Sequence, residues 1–278
     1  FNPDGALDDA RFVTIAGEYA YVLCKRGLVV VGIQDPLHPQ IVSELGAPDV
    51  VEPRAIQVQF RYAFVTDSRG LRVLDVTQLA TPRLVAALDL PEAGDLTVSR
   101  TYAYIPAGSQ GLAIVDVERP AKPVLFQMFN AGGVMNDTRA VRIGATDASV
   151  FAYVADGKNG LRVVQLITPG ETPGSAGFSP TPTPRLIATR PTHGPALALS
   201  RGLERDRAVD ESGHQVAVFG RLGSRPFTRP EMERLFMRGG EVFTVAGTAP
   251  GKPRAFMRPA LPPAGAPPEG TPVVQPAA

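Results

Sequence analysis

The chain has 278 residues, enough to bury a substantial core, and its formal net charge of +1 provides no overall field to attract nucleic acid or an anionic membrane. Its single cysteine, Cys24, excludes an internal disulfide, and no apolar run approaches the roughly 20 residues that span a bilayer. The composition therefore favours one globular domain with neither a nucleic-acid partner nor a membrane span.

Four short segments that alternate aromatic and small residues recur along the chain, and a glycine-headed β-branched run follows each one. The segments begin at Tyr19, Tyr62, Tyr102 and Phe151, and the runs begin at Gly27, Gly70, Gly111 and Gly160. Successive runs are roughly 40 to 50 residues apart, the length of one propeller blade built from four antiparallel strands. The repeat predicts an all-β chain.

The second repeat shows the expected pattern of one blade most clearly. Alternation of side chains predicts strands at 54–58, 62–66, 71–76 and 84–88, with a tight turn at 67–70 where Asp and Gly favour a reversal. The strand at 71–76 is apolar on both faces, and only blades stacked face to face bury both faces of such a strand. The pattern disfavours a helical repeat.

The motifs themselves are specific. The run from Gly70 to Val76 reads Gly-Leu-Arg-Val-Leu-Asp-Val, and the run from Gly111 is followed by the turn Pro120-Ala121-Lys122-Pro123. Over about 11–190 the chain resembles the LVIVD repeat family, although Gln165 stands where the earlier repeats have Asp and 169–184 is a proline-rich insertion. The resemblance implies a β-propeller with four clear blades, at 11–53, 54–94, 95–137 and 138–194.

The repeat decays after residue 194. Residues 195–249 are predicted to form a fifth, degenerate blade with strands near 196–199, 207–210, 215–219 and 241–246. A short helical insertion is expected from Thr228 to Met237, since Thr228 and Glu231 have the spacing of a capping box. Residues 250–278 are rich in proline and lack apolar periodicity, which predicts an extended tail or linker.

Residues that could carry chemistry are few and scattered. No metal or cofactor site is predicted, because no two histidines have ligand spacing and no second cysteine is present; the histidines are His38, His193 and His214. Cys24 is interpreted as an incidental loop thiol. Asp75 and Asp116 are equivalent by repeat, so they are expected to lie on different blades and to cap their own turns rather than to act as an acid–base pair. No catalytic residues are predicted, and the chain is expected not to be an enzyme.

Arginines are concentrated beyond the clear repeats. Arginine with apolar neighbours is an interface composition, although a solvated charged face has the same composition. The candidate interface residues are Arg201, Arg205, Arg207, Arg221, Arg225, Arg229, Arg234 and Arg238. The sequence therefore predicts a non-enzymatic scaffold that binds other polypeptides.

The resemblance adds an expectation about location and leaves two alternatives. Family members resemble exported or surface propellers, mostly without assigned activity, so a periplasmic or cell-surface assembly is expected. One alternative is an enzyme or ligand binder that uses the central channel. The other is a segment of a larger surface protein associated with adhesive or electron-transfer assemblies, for which a haem protein such as a cytochrome would be the partner.

Overall fold

A computed structural model describes residues 1–146 and 149–200, and beyond these 221–222, 225–226, 228, 230, 237–238 and 241–242. The chain divides into two compact units, Phe1–Val218 and Phe219–Ala278. The described part of the first unit consists of a short 3-10 helix at Pro3–Gly5 and sixteen strands, which form four antiparallel sheets.

Each sheet takes its four strands from consecutive segments of the chain. Blade 1 is formed by β1 Phe12–Ala16, β2 Tyr19–Cys24, β3 Gly27–Gly32 and β4 Gln40–Leu45. Blade 2 is formed by β5 Ala55–Gln59, β6 Tyr62–Asp67, β7 Gly70–Asp75 and β8 Arg83–Asp89. Blade 3 is formed by β9 Thr97–Ser99, β10 Tyr102–Pro106, β11 Leu112–Asp116 and β12 Val124–Phe129. Blade 4 is formed by β13 Ala140–Thr146, β14 Ser149–Ala155, β15 Leu161–Ile167 and β16 Arg185–Arg190.

The first strands of the blades stand side by side in chain order, with β1 against β5, β5 against β9, and β9 against β13. Polar side chains on these strands hydrogen-bond to the next blade. The Gln57 amide both accepts from the Val98 N–H (2.7 Å) and donates to the Val98 carbonyl (3.0 Å), and Thr97 donates to the Val141 carbonyl (2.9 Å). The array is propeller-like, and the expected fold class and the four clear blades are confirmed.

Three apolar cores lie between successive blades. Tyr21 of blade 1 packs in one core with Ile56 of blade 2. In β7 and the residue that follows it, side chains enter two different cores: Leu71 and Val73 face blade 3, whereas Leu74 and Val76 face blade 1. All four are 5% exposed or less. Burial on both faces confirms the stacking that the doubly apolar strand pattern predicted.

The N-terminal residues cover the other face of blade 1. Val22, Val29 and Val31 form a fourth buried cluster there, with Leu7 packed against it. Cys24 belongs to the same cluster and ends β2, where its thiol donates to the carbonyl of Ala6 at 3.3 Å. The interpretation of Cys24 as a loop thiol is therefore wrong: the side chain is a buried strand residue.

The glycine that heads each third strand is required by close packing against the fourth strand. Gly70 has φ of +142°, and a Cβ there would lie 2.3 Å from the Leu88 carbonyl oxygen. A Cβ at Gly160 would lie 2.3 Å from the Arg190 oxygen. A side chain at either position would displace the outer strand, which explains why this glycine repeats with the blade.

Every outer strand carries a β-bulge at the same place in its blade. The register between third and fourth strand shifts by one residue in all four sheets. The extra residue is a large apolar one each time: Val42, Val85, Phe126 and Ile187.

The described residues of the second unit form two short hairpins. β17 Arg221–Leu222 pairs with β18 Arg225–Pro226, and β19 Met237–Arg238 pairs with β20 Glu241–Val242.

These elements bear only in part on the predicted degenerate blade. Residues 196–199 are not a strand, since only Ala196 forms a bridge, with Gly157. Pro230 is helical, but Met237 already belongs to β19, so the predicted helix is shorter at its end. The predicted strands at 207–210 and 215–219 and the tail at 250–278 lie outside the described residues. The fifth blade and the tail stay predictions.

Candidate protein-interaction surface

A buried carboxylate lies at the turn between the second and third strands of blade 2. Asp67 is fully buried and forms an ion pair with the guanidinium of Arg72, which is 4% exposed. It also accepts from the backbone N–H groups of Val51 (3.2 Å), Arg69 (2.8 Å) and Gly70 (3.1 Å). Burial alone would raise the pKa of Asp67. The hydrogen bonds and the guanidinium groups of Arg69 and Arg72 outweigh the effect of burial and lower the pKa below its usual value.

Blade 4 repeats this arrangement with Asp156 and Arg162. The Arg162 Nε donates to Asp156 Oδ2 at 3.0 Å, and the N–H of Asp137 donates to the other carboxylate oxygen at 2.9 Å. The guanidinium also donates to Thr189 Oγ1 at 2.8 Å. Both buried carboxylates are thus fully engaged in holding a turn to its neighbours. They are structural groups.

The two carboxylates that end the third strands behave as predicted. Asp75 accepts from the N–H of Thr77 at 2.9 Å and from its hydroxyl at 2.5 Å, which lowers the pKa of Asp75. Asp116 accepts from the N–H of Glu118 at 2.9 Å. Each caps its own turn, on separate blades. Neither aspartate is in position to exchange a proton with the other.

The histidines are not brought together. His38 is exposed and contacts Asp35 at 2.6 Å, His193 is exposed on a loop, and His214 lies outside the described residues. Within the described parts of the chain, no three His, Cys, Asp or Glu residues are grouped as metal ligands would be.

The predicted arginine interface is only partly described. The backbones of Arg221, Arg225 and Arg238 lie in the short hairpins of the second unit. The other five lie outside the described residues: Arg201, Arg205, Arg207, Arg229 and Arg234. This interface stays a prediction.

A surface that the sequence reasoning missed is built on the turns between first and second strands. In blades 1 to 3 the first residue of this two-residue turn has positive φ, and it is Gly17 (60°), Phe60 (54°) and Arg100 (57°) in turn. Glycine adopts this conformation freely, whereas Phe and Arg do not. Phe60 is moreover 91% exposed. An aromatic residue thus occupies a strained position while burying little of its surface in the described fold.

Hydrogen bonds connect these turns across three blades. The Gln59 amide donates to the Arg100 carbonyl at 3.2 Å. The next residue, Thr101, contacts Ser179 through their hydroxyls at 2.5 Å and donates its N–H to Ser179 Oγ at 3.4 Å. Ser179 belongs to the proline-rich insertion of blade 4, and its neighbour Phe178 is 77% exposed. The insertion therefore reaches back to blade 3 and brings a second exposed aromatic residue to the same end of the array.

We call Phe60, Arg61, Arg100 and Phe178 the aromatic turn surface. The Arg61 guanidinium lies 5.1 Å from the centre of the Tyr62 ring and donates to its hydroxyl at 2.9 Å. No carboxylate in the described residues forms an ion pair with Arg61 or Arg100. Exposed aromatic and arginine side chains are the residue types enriched in protein interfaces. The sequence signal was available: Phe60 stands between strands where blade 1 has Gly17.

None of the helical segments that the structure describes has the length and hydropathy of a bilayer-spanning helix.

Comparison with known families matches the LVIVD repeat at residues 8–45, 54–89, 92–131 and 149–166. A comparison with curated protein sequences gives no match.

Solved structures align with this chain at low sequence identity. A functionally unknown protein from Desulfotomaculum acetoxidans aligns with a TM-score of 0.54 and 13% identity over 72% of this chain and 61% of that one. AztD from Citrobacter koseri aligns with a TM-score of 0.40 and 18% identity over 66% and 48% of the two chains. The chain thus spans about three fifths of the length of the first of these structures.

Proposed function

Because the chain belongs to the LVIVD repeat family, we propose that it is a non-enzymatic β-propeller scaffold that binds another polypeptide through the aromatic turn surface. The observation that carries the proposal is Phe60, a 91% exposed aromatic residue held at positive φ. The family repeat places strands and cores, but it does not account for an aromatic residue at this turn.

The backbone conformation of Phe60 has an energetic cost. A non-glycine residue in the left-handed region costs roughly 1–2 kcal/mol, and Phe60 recovers little of it by burial. Gly17 shows that the same turn can be made without that cost. A residue that lowers stability where an unstrained choice exists is typical of a binding site.

The polar groups of the inner strands favour a scaffold over a channel enzyme. The side chains of Gln57 and Thr97 are hydrogen-bonded to the backbone of the next blade, and Arg142 is paired with Asp95. These groups therefore serve packing between blades. A channel used for catalysis would instead present convergent, unpaired polar groups.

We further propose that the scaffold works in an exported or cell-surface assembly. The resemblance of the repeats to those of surface propellers supports this location. The partner is then another polypeptide of that assembly, and the rigid blades hold the aromatic turn surface in a fixed position.

The test replaces Phe60 by glycine in the full chain. Phe60→Gly relieves the turn, so the free energy of unfolding is expected to rise by about 1 kcal/mol, measured by urea denaturation. The same variant is expected to lose roughly 2 kcal/mol of binding free energy, the cost of removing an interface hot spot, in quantitative co-purification from the source cells. Stability and partner recovery thus move in opposite directions.

The matched control is Val124→Ser, which removes another exposed apolar side chain (59% exposed) from an outer strand. Partner recovery is expected to stay unchanged for this variant. Equal recovery for Phe60→Gly and wild type would place the interface elsewhere. The predicted arginine cluster would then be the next region to test, by deletion of 250–278 and by charge removal at Arg221 and Arg225.

A further inference from the structure

The aromatic turn surface has an arginine at its centre. Arg100 is exposed in the turn of blade 3, and its carbonyl accepts at 3.2 Å from the side chain of Gln59, the residue before Phe60. On the other side, the residue after Arg100 donates its N–H to the hydroxyl of Ser179 at 3.4 Å, and Phe178 precedes Ser179. The backbone of Arg100 thus lies between the backbones of two exposed aromatic residues.

The carboxylates beside this surface do not neutralise Arg100. Asp75 and Asp116 end the third strands of blades 2 and 3, and each is held by its own turn, Asp75 also by Arg83 at 3.3 Å. Glu118 is exposed and follows the residue whose N–H donates to the turn of blade 3, but it forms no ion pair with Arg100. Among the residues that the structure describes, the charge of Arg100 therefore has no carboxylate partner.

The charge of the turn changes sign between blade 1 and its neighbours. The turn of blade 1 is Gly17-Glu18, whereas the turns of blades 2 and 3 carry Arg61 and Arg100. An acidic ligand is therefore attracted by the two arginines and repelled by Glu18, which directs it to blades 2 and 3. Apolar contact with Phe60 would exclude water from such a contact and strengthen it.

A nucleic acid is the other ligand that arginine beside aromatic rings could bind. A site for single-stranded nucleic acid also needs a positively charged groove that follows the phosphate backbone. This chain has a net charge of +1, and Glu18 and Glu118 are exposed at the same end of the blades as the two arginines. The charge pattern therefore favours a short acidic stretch of polypeptide over a polyanion.

We infer that the partner binds this surface through an acidic segment, which presents a carboxylate to Arg100 and apolar side chains to Phe60 and Phe178. The inference rests on the proposed function, since it uses the same surface, and it adds the chemical class of the partner. Arg61 provides a second positive charge on the blade 2 side of the same segment.

The test selects a display library of short randomised peptides on the immobilised full chain. The enriched peptides are expected to combine Asp or Glu with large apolar residues. Binding of such a peptide, measured by fluorescence anisotropy, is expected to weaken about 10-fold for Arg100→Glu, because a repulsion replaces an attraction. Glu118→Gln is expected to strengthen it about 2-fold, since it removes a nearby like charge.

The matched control is Arg190→Glu, which makes the same charge change at an exposed position. Arg190 ends β16 opposite Leu161, at the end of blade 4 away from the insertion. Affinity for the selected peptide is expected to stay unchanged in this variant. An equal loss for Arg190→Glu and Arg100→Glu would show a non-specific effect of net charge and would overturn the inference.

The other outcomes separate this inference from the proposed function. Enriched peptides that are neutral or basic, and whose binding is lost in Phe60→Gly, would overturn the acidic partner and leave the proposed surface in place. Peptides that bind wild type and Phe60→Gly equally would contradict both proposals. A library that yields no binder would overturn the acidic segment alone, because co-purification with Phe60→Gly still decides the proposed function.

Two further measurements complete the test. A single-stranded oligonucleotide that binds more tightly than every enriched peptide, and is released by Arg100→Glu, would assign the surface to nucleic acid and overturn the inference. If Arg100→Glu fails to fold, Arg61→Glu provides the same charge reversal on the neighbouring turn, and unchanged peptide affinity in that variant would count against the acidic segment.

Discussion

The four described blades stabilise the turn between their second and third strands in two different ways. Blades 2 and 4 place a buried aspartate at the turn before the third strand and a buried arginine on that strand, whereas blades 1 and 3 place uncharged residues at both positions. The pairs are Asp67–Arg72, Asp156–Arg162, Cys24–Val29 and Ala107–Ala113, and every member is 6% exposed or less. None of the four described blades combines one charged and one uncharged residue.

The comparison teaches that the two positions change together. A buried charge without its partner keeps its desolvation cost and loses the compensating attraction, so a half-replaced pair is worse than either complete solution. The four described blades of this chain follow this rule, with both positions charged or both uncharged. Blade 3 holds this turn without a charged pair: Thr138 donates its hydroxyl to the Gly111 carbonyl at 2.6 Å.

The largest effect is expected from breaking the pair of blade 2. Asp67→Ala leaves the buried Arg72 guanidinium with only its 3.5 Å contact to the exposed Asp89, and it removes the acceptor for three backbone N–H groups. We expect the free energy of unfolding to fall by about 3 kcal/mol, measured by urea denaturation. The equivalent change at an uncharged site, Ala107→Gly, is the control and should cost about 1 kcal/mol. Equal costs would show that the ion pair contributes nothing beyond local turn structure.

A smaller loss is expected when both members are replaced, as in blade 3. Adding Arg72→Ala to Asp67→Ala removes the unpaired charge, so the double variant is expected to recover about 1 kcal/mol relative to Asp67→Ala alone. A double-mutant cycle measures this coupling directly. Additive losses for the two substitutions would mean that blades 2 and 3 do not represent interchangeable solutions.

The smallest effect is the pH dependence that Asp67 contributes to the stability of blade 2. The pKa of Asp67 is lowered in the folded protein, so its contribution to stability is fully present above the unfolded value of about 3.9 and is lost as the pH falls through the lower folded value. Each unit of lowering corresponds to about 1.4 kcal/mol. We therefore expect wild type to lose stability below about pH 4 more steeply than the double variant, with both measured by thermal unfolding between pH 2 and 6. Parallel curves would contradict this assignment.

The sequence was sufficient to predict the blades because a strand buried on both faces has a distinctive pattern. Alternation in Gly70–Asp75 places Arg72 on the same side as Leu74, and this is the side that the structure buries toward blade 1. The buried arginine itself was not predicted to pair with Asp67. The partner lies five residues away across a turn, and no local periodicity links the two positions.

The other features that the sequence did not predict also depend on contacts between distant parts of the chain. Cys24 follows a strand pattern and precedes a turn, so its burial depends on Ala6 and Leu7, which come from outside the repeat. In the sequence, Phe60 resembles another aromatic residue of a strand. Its place in a turn becomes visible only when the two-residue turns of the blades are compared. The exposed residues of the aromatic turn surface come together only because the insertion of blade 4 returns to blade 3.

The bulges of the outer strands change what the exposed sheet edges offer to another chain. β12 reads Val-Leu-Phe-Gln-Met-Phe and carries no charge, and its first three side chains are 40–59% exposed. Such a stretch at an unpaired sheet edge is the composition that seeds fibrils. The extra residue at Phe126 interrupts the regular spacing of backbone donors and acceptors along that edge, and the ring is held against Tyr102 at 5.8 Å. A foreign strand would therefore meet an interrupted hydrogen-bond ladder at this edge, which disfavours edge-to-edge pairing.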